Sequence, residues 1–335
     1  MRVRAELGCH GAPPLEDDVL DAPVSGDPSS PPWRSVTRIR VKAELYARET
    51  YFREGLADAS ESLAANMTAA LHRAALVMLK PEGLAGGKAR AIIAFLRAHG
   101  FGIAAVIERT LSRLQWRELW RFQLSAATLD RLAVNDLILQ DRVLLLLLHD
   151  NAPLHVPATV RLGVLKGPAD LESQPQDCLR RLLAQPNRLF SFCHVADEPA
   201  DLLRELAILC DGPMRRSLLS RLTGGALPRQ EMQLLDDTML ASDRIALEFD
   251  VQASLQRLAQ AVCGRSGAAA EQILVDVARM HRGEAIAWRA FAAAVAAAGL
   301  ELNRWDLALL GATFIVPDEP GASKKIGSVR VDSWW

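Results

Sequence analysis

The sequence predicts an α/β (α+β) protein in which a four-stranded antiparallel sheet precedes an all-helical region. Two observations predict this division. Four apolar runs of strand length lie between residues 74 and 195 and are separated by helical patterns. After Cys210 such runs nearly vanish, and alanine- and leucine-rich helical patterns follow over residues 212–316.

Composition places the chain among globular proteins and excludes several classes. It has 335 residues, of which 50% are hydrophobic and 24% are charged, so there is room for two domains. A net charge of −1 gives no electrostatic case for binding nucleic acid or an anionic membrane. The five cysteines form no Cys-x-x-Cys pair, and the longest apolar run, 143–148, is too short to span a bilayer. We therefore expect a cytoplasmic protein with reduced thiols.

The chain begins with two segments outside the predicted sheet. Residues 1–35 are predicted to be a disordered leader, because they are rich in proline and acidic residues and poor in large apolar ones. Residues 36–73 interleave apolar and charged side chains with a helical period, which predicts an N-terminal helical extension packed outside the following domain.

Residues 74–211 are predicted to form the sheet domain. The predicted strands are 74–80, 101–108, 142–149 and 188–194. The third is apolar on both faces, which indicates an interior strand. The predicted helices are 84–100, 112–120, 124–136, 157–166 and 199–209. This order is typical of a ferredoxin-like split β-α-β sheet.

The region after the sheet is predicted to be helical up to an irregular tail. The candidate helices are 213–221, 228–240, 251–263, 268–281 and 284–298. The tail, residues 317–335, is rich in Gly, Ser and Lys and ends in Trp334-Trp335, which we expect to dock on the body of the protein.

One histidine has a setting that suits chemistry. His194 ends the fourth apolar run, a helix start follows at 197–199, and Glu205 lies eleven residues after His194, inside that helix. A carboxylate at this spacing can hold one ring nitrogen and leave the other free as a nucleophile. The same position equally suits a structural histidine beside an apolar strand.

The remaining candidates are cations at strand ends and in loops. No Walker phosphate loop and no G-x-S-x-G motif is present, and His149 and His155 have no companions at metal-ligand spacing. Each cation taken singly is expected to be an ordinary surface charge, but with His194 they would suit phosphoryl transfer. The cations are Lys80, Arg161, Arg180 and Arg181.

Over about residues 74–211 the chain resembles the nucleoside diphosphate kinase family. The resembling residues are Val77-Met-Leu-Lys-Pro-Glu-Gly83, Arg161-Leu-Gly, Gly167-Pro-Ala-Asp170, Leu179-Arg-Arg181 and His194-x-x-Asp197 with Glu205. The resemblance implies a sheet of nucleoside diphosphate kinase type, in which His194 accepts the phosphoryl group and Glu205 hydrogen-bonds it. It further implies that Lys80, Arg161 and either Arg180 or Arg181 bind phosphates. ATP or another nucleoside triphosphate, with Mg²⁺ on its phosphates, would be the substrate, and the protein would form a homodimer.

The chain departs from the family pattern at four places. The active-site tyrosine falls at Trp120, and the aromatic residue that stacks on the base falls near Thr128 or Leu129. The asparagine before the histidine is Ser191, and the serine after it is Ala196. The phosphate-binding residues are therefore largely kept, whereas the contacts to the base are not.

Two functions remain open from the sequence. The first is a phosphotransferase that moves the γ-phosphate through phosphohistidine at His194 to a nucleoside diphosphate or another small-molecule acceptor. The second is a catalytically degenerate kinase-like module that binds a nucleotide or, through its helical region, a partner protein.

Overall fold

The computed structural model describes residues 31–334, which form a mixed α+β fold around one sheet. The strands are β1 (Ala74–Leu79), β2 (Phe101–Thr110), β3 (Arg142–Asp150) and β4 (Cys193–Val195). Their order across the sheet is β2-β3-β1-β4, and every neighbouring pair is antiparallel. The predicted four-stranded antiparallel sheet is confirmed, and β3 is an interior strand, as its apolar run indicates.

Both faces of the sheet are buried, which explains why β1 and β3 lack the polar alternation of a half-exposed strand. Alternate residues of β1 and β3 belong to two separate hydrophobic cores. On one face Met78 of β1 and Leu145 of β3 pack with the helices before the sheet and after β4. On the other face Val77 and Leu146 pack with helices inserted between the strands.

From residue 31 onward, four α-helices precede the sheet, namely α1 (Trp33–Val36), α2 (Arg40–Tyr46), α3 (Thr50–Leu63) and α4 (Met67–Arg73). The predicted leader is wrong for its last residues, 33–35, because they belong to α1. Trp33 there is only 2% exposed and stacks on Phe52, with the ring centroids 5.3 Å apart. The rest of the predicted leader, residues 1–30, lies outside the described residues.

Seven helices accompany the strands of the sheet. They are α5 (Pro81–Ala85), α6 (Ala89–Ala98), α7 (Arg113–Leu119), α8 (Leu129–Leu139), α9 (Ala158–Lys166), α10 (Leu179–Leu182) and α11 (Pro199–Leu209). The predicted helix over 84–100 is divided into α5 and α6, and the left-handed backbone of Gly87, with φ of 69°, lies at the division.

The remaining described helices follow α11 without a further strand. They are α12 (Gly212–Ser220), α13 (Arg229–Ile245), α14 (Val251–Val262), α15 (Ala268–His281), α16 (Trp288–Ala297) and α17 (Arg304–Phe314). The sequence patterns missed α17. α13 supplies Leu235 and Met239 to the core beneath the sheet, so the helical region shares a core with the sheet domain.

The predicted fourth strand, 188–194, is wrong over most of its length, because β4 is short and begins only at Cys193. Phe192 has a left-handed backbone, with φ of 60°, which interrupts an extended strand. Its carbonyl accepts a hydrogen bond from the Lys80 amide at 2.9 Å. A Cβ at Gly83 would lie 2.3 Å from the same carbonyl oxygen, so this approach requires glycine. His194 therefore lies within the paired strand, opposite Met78 of β1.

Buried charges anchor the N-terminal helices to the start of α11. The Lys42 ammonium lies 2.8 Å from Glu198 and 2.6 Å from Asp201, and both carboxylates are buried. Burial disfavours the charged ammonium, but the two carboxylates outweigh it and raise the pKa of Lys42. This network fixes the beginning of the helix that carries Glu205.

The C-terminal tail docks on the same region. Trp334 is 5% exposed, packs against Val156 and Val160, and donates its indole N–H to Glu198 at 3.1 Å. Trp335 lies outside the described residues. No helix within residues 31–334 combines the length and the apolar composition needed to cross a bilayer.

Candidate active site

A cleft of about 690 Å³ opens beside β4 and is strongly cationic. α8, α9, the loop after α9, the segment before β4 and the C-terminal tail all contribute to its wall. Six cationic side chains line it against two carboxylates: Lys80, Arg131, Lys166, Arg180, Arg188 and Lys324 against Asp170 and Asp197. A concave surface with this excess of positive charge attracts anions.

His194 lines this cleft from β4, with 17% of its side chain exposed. Its Nε2 lies 2.8 Å from Oε1 of Glu205, a buried residue on α11. The start of α11 and the eleven-residue spacing thus bring the carboxylate to one ring nitrogen. The other nitrogen, Nδ1, faces Trp120, which also lines the cleft.

Trp120 determines which nitrogen of the neutral His194 ring carries the proton. The indole Nε1 lies 3.4 Å from Nδ1, and the two rings meet edge to face at 88°. An indole N–H is only a donor, so Nδ1 must accept and the proton must be on Nε2, where Glu205 accepts it. The lone pair of the neutral ring therefore belongs to Nδ1, where it accepts the indole N–H of Trp120. The family resemblance implies a tyrosine at position 120, whose hydroxyl is absent from this chain. The indole of Trp120 supplies a hydrogen-bond donor to Nδ1 of His194.

The Glu205 carboxyl is buried, with 6% of the residue exposed. Burial raises its pKa, and the hydrogen bond and charge of His194 act in the opposite direction. Its second oxygen, Oε2, has no hydrogen-bond partner among the described residues. The bond to His194 is thus the main polar contact that holds the carboxylate.

Lys80 reaches the cleft, where its ammonium already makes one ion pair and two hydrogen bonds. The ammonium lies 2.5 Å from Glu82, and it donates to the Leu189 carbonyl at 3.2 Å and to the Ser191 hydroxyl at 3.1 Å. Glu82 is fully buried and balances the charge of Lys80. An anion in the cleft would therefore compete with these existing contacts for the Lys80 ammonium.

The structure does not bring Arg161 to His194, contrary to its expected place at the phosphates. Its guanidinium lies 2.8 Å from Asp150, donates to the His99 carbonyl at 2.6 Å and covers the Phe101 ring at 4.6 Å. The reason is the helical period, because Val160, Gly163, Val164 and Gly167 form the face of α9 that lines the cleft. Arg161 projects from one flank of that face.

The two neighbouring arginines separate clearly. Arg180 lines the cleft and donates to the Gly167 carbonyl at 2.9 Å, and burial lowers its pKa. Arg181 is exposed and lies outside the cleft. Of the alternatives left open by the sequence, Arg180 is the one that lines the same cleft as His194.

Sequence reasoning missed four of the cleft cations: Arg131, Lys166, Arg188 and Lys324. Arg131 pairs with Asp318 of the tail, and Lys324 itself comes from the tail. No pattern within α8 or the tail signals that these segments meet, because the contact spans nearly 190 residues of chain. Lys166 ends α9 on the flank opposite Arg161, and the helical period could have indicated it.

No family model matches the sequence, and no curated protein matches it. Among solved structures, the nucleoside diphosphate kinase of Aquifex aeolicus aligns with 42% of this chain and 96% of its own, at 17% identity and a TM-score of 0.36. An NDP kinase from Pyrobaculum aerophilum aligns over the same shares at 17% identity and a TM-score of 0.31. At these values the alignments carry no argument about activity, which must come from the site itself.

Proposed function

We propose that this chain is a nucleoside diphosphate kinase-like phosphotransferase built on a ferredoxin-like split β-α-β sheet. The strand order β2-β3-β1-β4 supports this fold. The observation that carries the proposed activity is the setting of His194. One ring nitrogen is held by a buried carboxylate, and the other carries its lone pair beside a cationic cleft.

In the first half-reaction, the long hydrogen bond from Trp120 is given up, and the freed Nδ1 lone pair of His194 attacks the γ-phosphorus of a nucleoside triphosphate. The N–P bond forms as the bond from phosphorus to the bridging oxygen breaks, and the nucleoside diphosphate leaves with that electron pair. The ring becomes positively charged, and its Nε2–H stays bonded to Glu205. The Glu205 carboxylate thereby stabilises the charge that develops in the transition state.

In the second half-reaction, a phosphate oxygen of an acceptor attacks the phosphohistidine. The N–P bond breaks, and its electron pair returns to Nδ1. The acceptor is a nucleoside diphosphate or another small anionic molecule, because the same cations must receive it. Arg180 and Lys80 supply positive charge beside His194 in both half-reactions.

We propose that Mg²⁺ enters as the complex with the triphosphate rather than in a protein site. Within residues 31–334 no group of three or more His, Cys, Asp or Glu side chains is arranged to hold a metal. The cleft contributes cations and only Asp170 and Asp197 as carboxylates, which suits a ligand whose phosphates carry the metal.

A second candidate, a nucleotide-binding or protein-interaction module without turnover, is favoured by three observations. Arg161 forms an ion pair with Asp150, and Lys80 forms an ion pair with Glu82 and two hydrogen bonds within the protein. The family resemblance implies an aromatic contact to the base near Thr128 or Leu129. Neither residue carries an aromatic ring, and neither lines the cleft. These features weaken binding of a common nucleotide but leave the His194–Glu205 pair intact.

Incubation with γ-labelled ATP and Mg²⁺ tests the proposal. A phosphotransferase gains label that is lost in acid and kept in base, whereas a module binds ATP by calorimetry and gains none. Trp120→Phe provides a second check, because it removes the donor at Nδ1 but keeps an aromatic ring. It should alter the labelling rate of an enzyme, and it cannot create label in a module.

A further inference from the structure

Lys166 differs from the other buried cations of the cleft in lacking a hydrogen bond. It is 8% exposed and ends α9. Among residues 31–334 its only ion-pair partner is Asp197, at 3.8 Å, which is beyond the reach of a hydrogen bond. By contrast, Lys80 contacts Glu82, and Arg180 donates to a backbone carbonyl.

An ammonium on a side chain this deeply buried, without short partners, is unfavourable, since it keeps little of its hydration and gains little in exchange. Burial lowers the pKa of Lys166, and the nearby Arg180 acts in the same direction. The ammonium lies where the cleft can deliver a compensating anion, because Lys166 lines it together with His194. A polar group that lacks partners in a folded protein calls for an explanation, and here a bound anion would supply the missing partner.

We propose that Lys166 is the cation that contacts the phosphoryl oxygens beside His194. It would thus bind phosphate in the place of Arg161, for which the family resemblance implies that role. The two residues are five positions apart on α9, or about 140° around the helix. Arg161 is directed to Asp150 on one flank, and Lys166 reaches the cleft from the other. This inference rests on the proposed function for the identity of the ligand, but it concerns anion binding and not turnover.

The test measures binding of inorganic tripolyphosphate by calorimetry, without any requirement for activity. Lys166→Met should weaken binding by about 10- to 100-fold, the range for loss of a charge-assisted hydrogen bond. Arg181→Met is the matched control, since it removes an exposed cation outside the cleft, and its binding should stay within about twofold of wild type. The folded state of each variant is checked by thermal unfolding.

A measurement on the wild-type chain keeps the inference testable if Lys166→Met does not fold. Tripolyphosphate should protect Lys166 from acetylation by acetic anhydride, as read by mass spectrometry, and should leave Lys88 unprotected. Four results would each overturn the inference. Two concern the variants: Lys166→Met binds tripolyphosphate as tightly as wild type, or Arg181→Met loses as much affinity as Lys166→Met. Two concern the wild-type chain: tripolyphosphate fails to protect Lys166 from acetylation, or the chain does not bind it. If tripolyphosphate binds through Lys166 but ATP yields no phosphohistidine, the inference stands and the proposed enzyme does not.

Discussion

Glu205→Gln should separate the catalytic contribution of Glu205 from its structural one. The amide keeps an acceptor in the position of Oε1, 2.8 Å from Nε2 of His194, and removes the negative charge. The ring orientation is thus retained. What is lost is the attraction between the carboxylate and the charge that appears on the ring as the N–P bond forms.

The expected loss follows from Coulomb's law. Two unit charges about 4 Å apart interact by about 4 kcal/mol at an effective dielectric constant of about 20. With roughly half a charge developed on the ring in the transition state, the loss is about 2 kcal/mol, or about 30-fold in rate. The loss falls on the rate of transfer and leaves nucleotide affinity nearly unchanged, because the charge is absent before reaction. Glu205→Ala also removes the orienting bond, and it should cost about 10²- to 10⁴-fold.

The same substitution should raise stability toward alkaline pH. Burial raises the pKa of Glu205 above its ordinary value of 4.5. A carboxyl with a raised pKa binds protons more readily in the folded state than in the unfolded one. The free energy of unfolding therefore falls as pH increases from the ordinary pKa through the raised one. Glutamine does not titrate, so the free energy of unfolding of the variant does not fall for this reason. The difference in stability in favour of the variant should therefore grow as pH rises from the ordinary pKa through the raised one.

The assay for transfer is single-turnover labelling of the protein from γ-labelled ATP, quenched in base. The difference in the free energy of unfolding between the variant and wild type is measured by calorimetry at several pH values from about 4 to 9. This range brackets the ordinary pKa of a glutamate. Labelling of Glu205→Gln at the wild-type rate would refute the assigned role of the carboxylate. A stability difference that shrinks with rising pH would refute the account of its pKa.

Three further predictions concern the fold and the assembly. Arg161→Met should lower the free energy of unfolding by about 3–5 kcal/mol, because it leaves buried Asp150 without its cation, while tripolyphosphate affinity at a temperature where the variant is folded should not change. Trp334→Ala should release the tail, since it removes a buried ring and its bond to Glu198; trypsin should then cleave at Lys324 and Lys325 faster than in wild type, and an unchanged cleavage rate would contradict this docking. The homodimer implied by the family resemblance stays a prediction, which light scattering decides, and a monomer mass at all concentrations would rule it out.

The parts of the fold that follow local patterns could be predicted from the sequence. β1 is apolar over its full length and β3 is apolar between its ends, as buried strands require, and β2 has an apolar run before its charged end. The spacing of His194 and Glu205 was also informative. A short loop and two helical turns restrict where the carboxylate can lie.

The parts that failed depend on contacts between distant segments. The alternation before His194 resembles a strand, but the left-handed Phe192 is set by its contact with Lys80 and Gly83, more than 100 residues earlier. Arg161 fits the family motif, yet Asp150 and the Phe101 ring determine where its side chain goes. The contribution of the tail to the cleft has no local signal, because Lys324 and Ser328 belong to an irregular segment.

Comparison of the wild-type protein with His194→Ala tests most directly whether His194 carries a phosphoryl group. Wild-type protein and His194→Ala are incubated with Mg²⁺ and each common γ-labelled nucleoside triphosphate, and label is located by peptide mapping under basic conditions. If His194 carries the phosphoryl group, label that is stable in base and lost in acid should appear on His194 in the wild type and be absent from the variant. Absence of label in the wild type with every triphosphate, or equal labelling of His194→Ala, would contradict it.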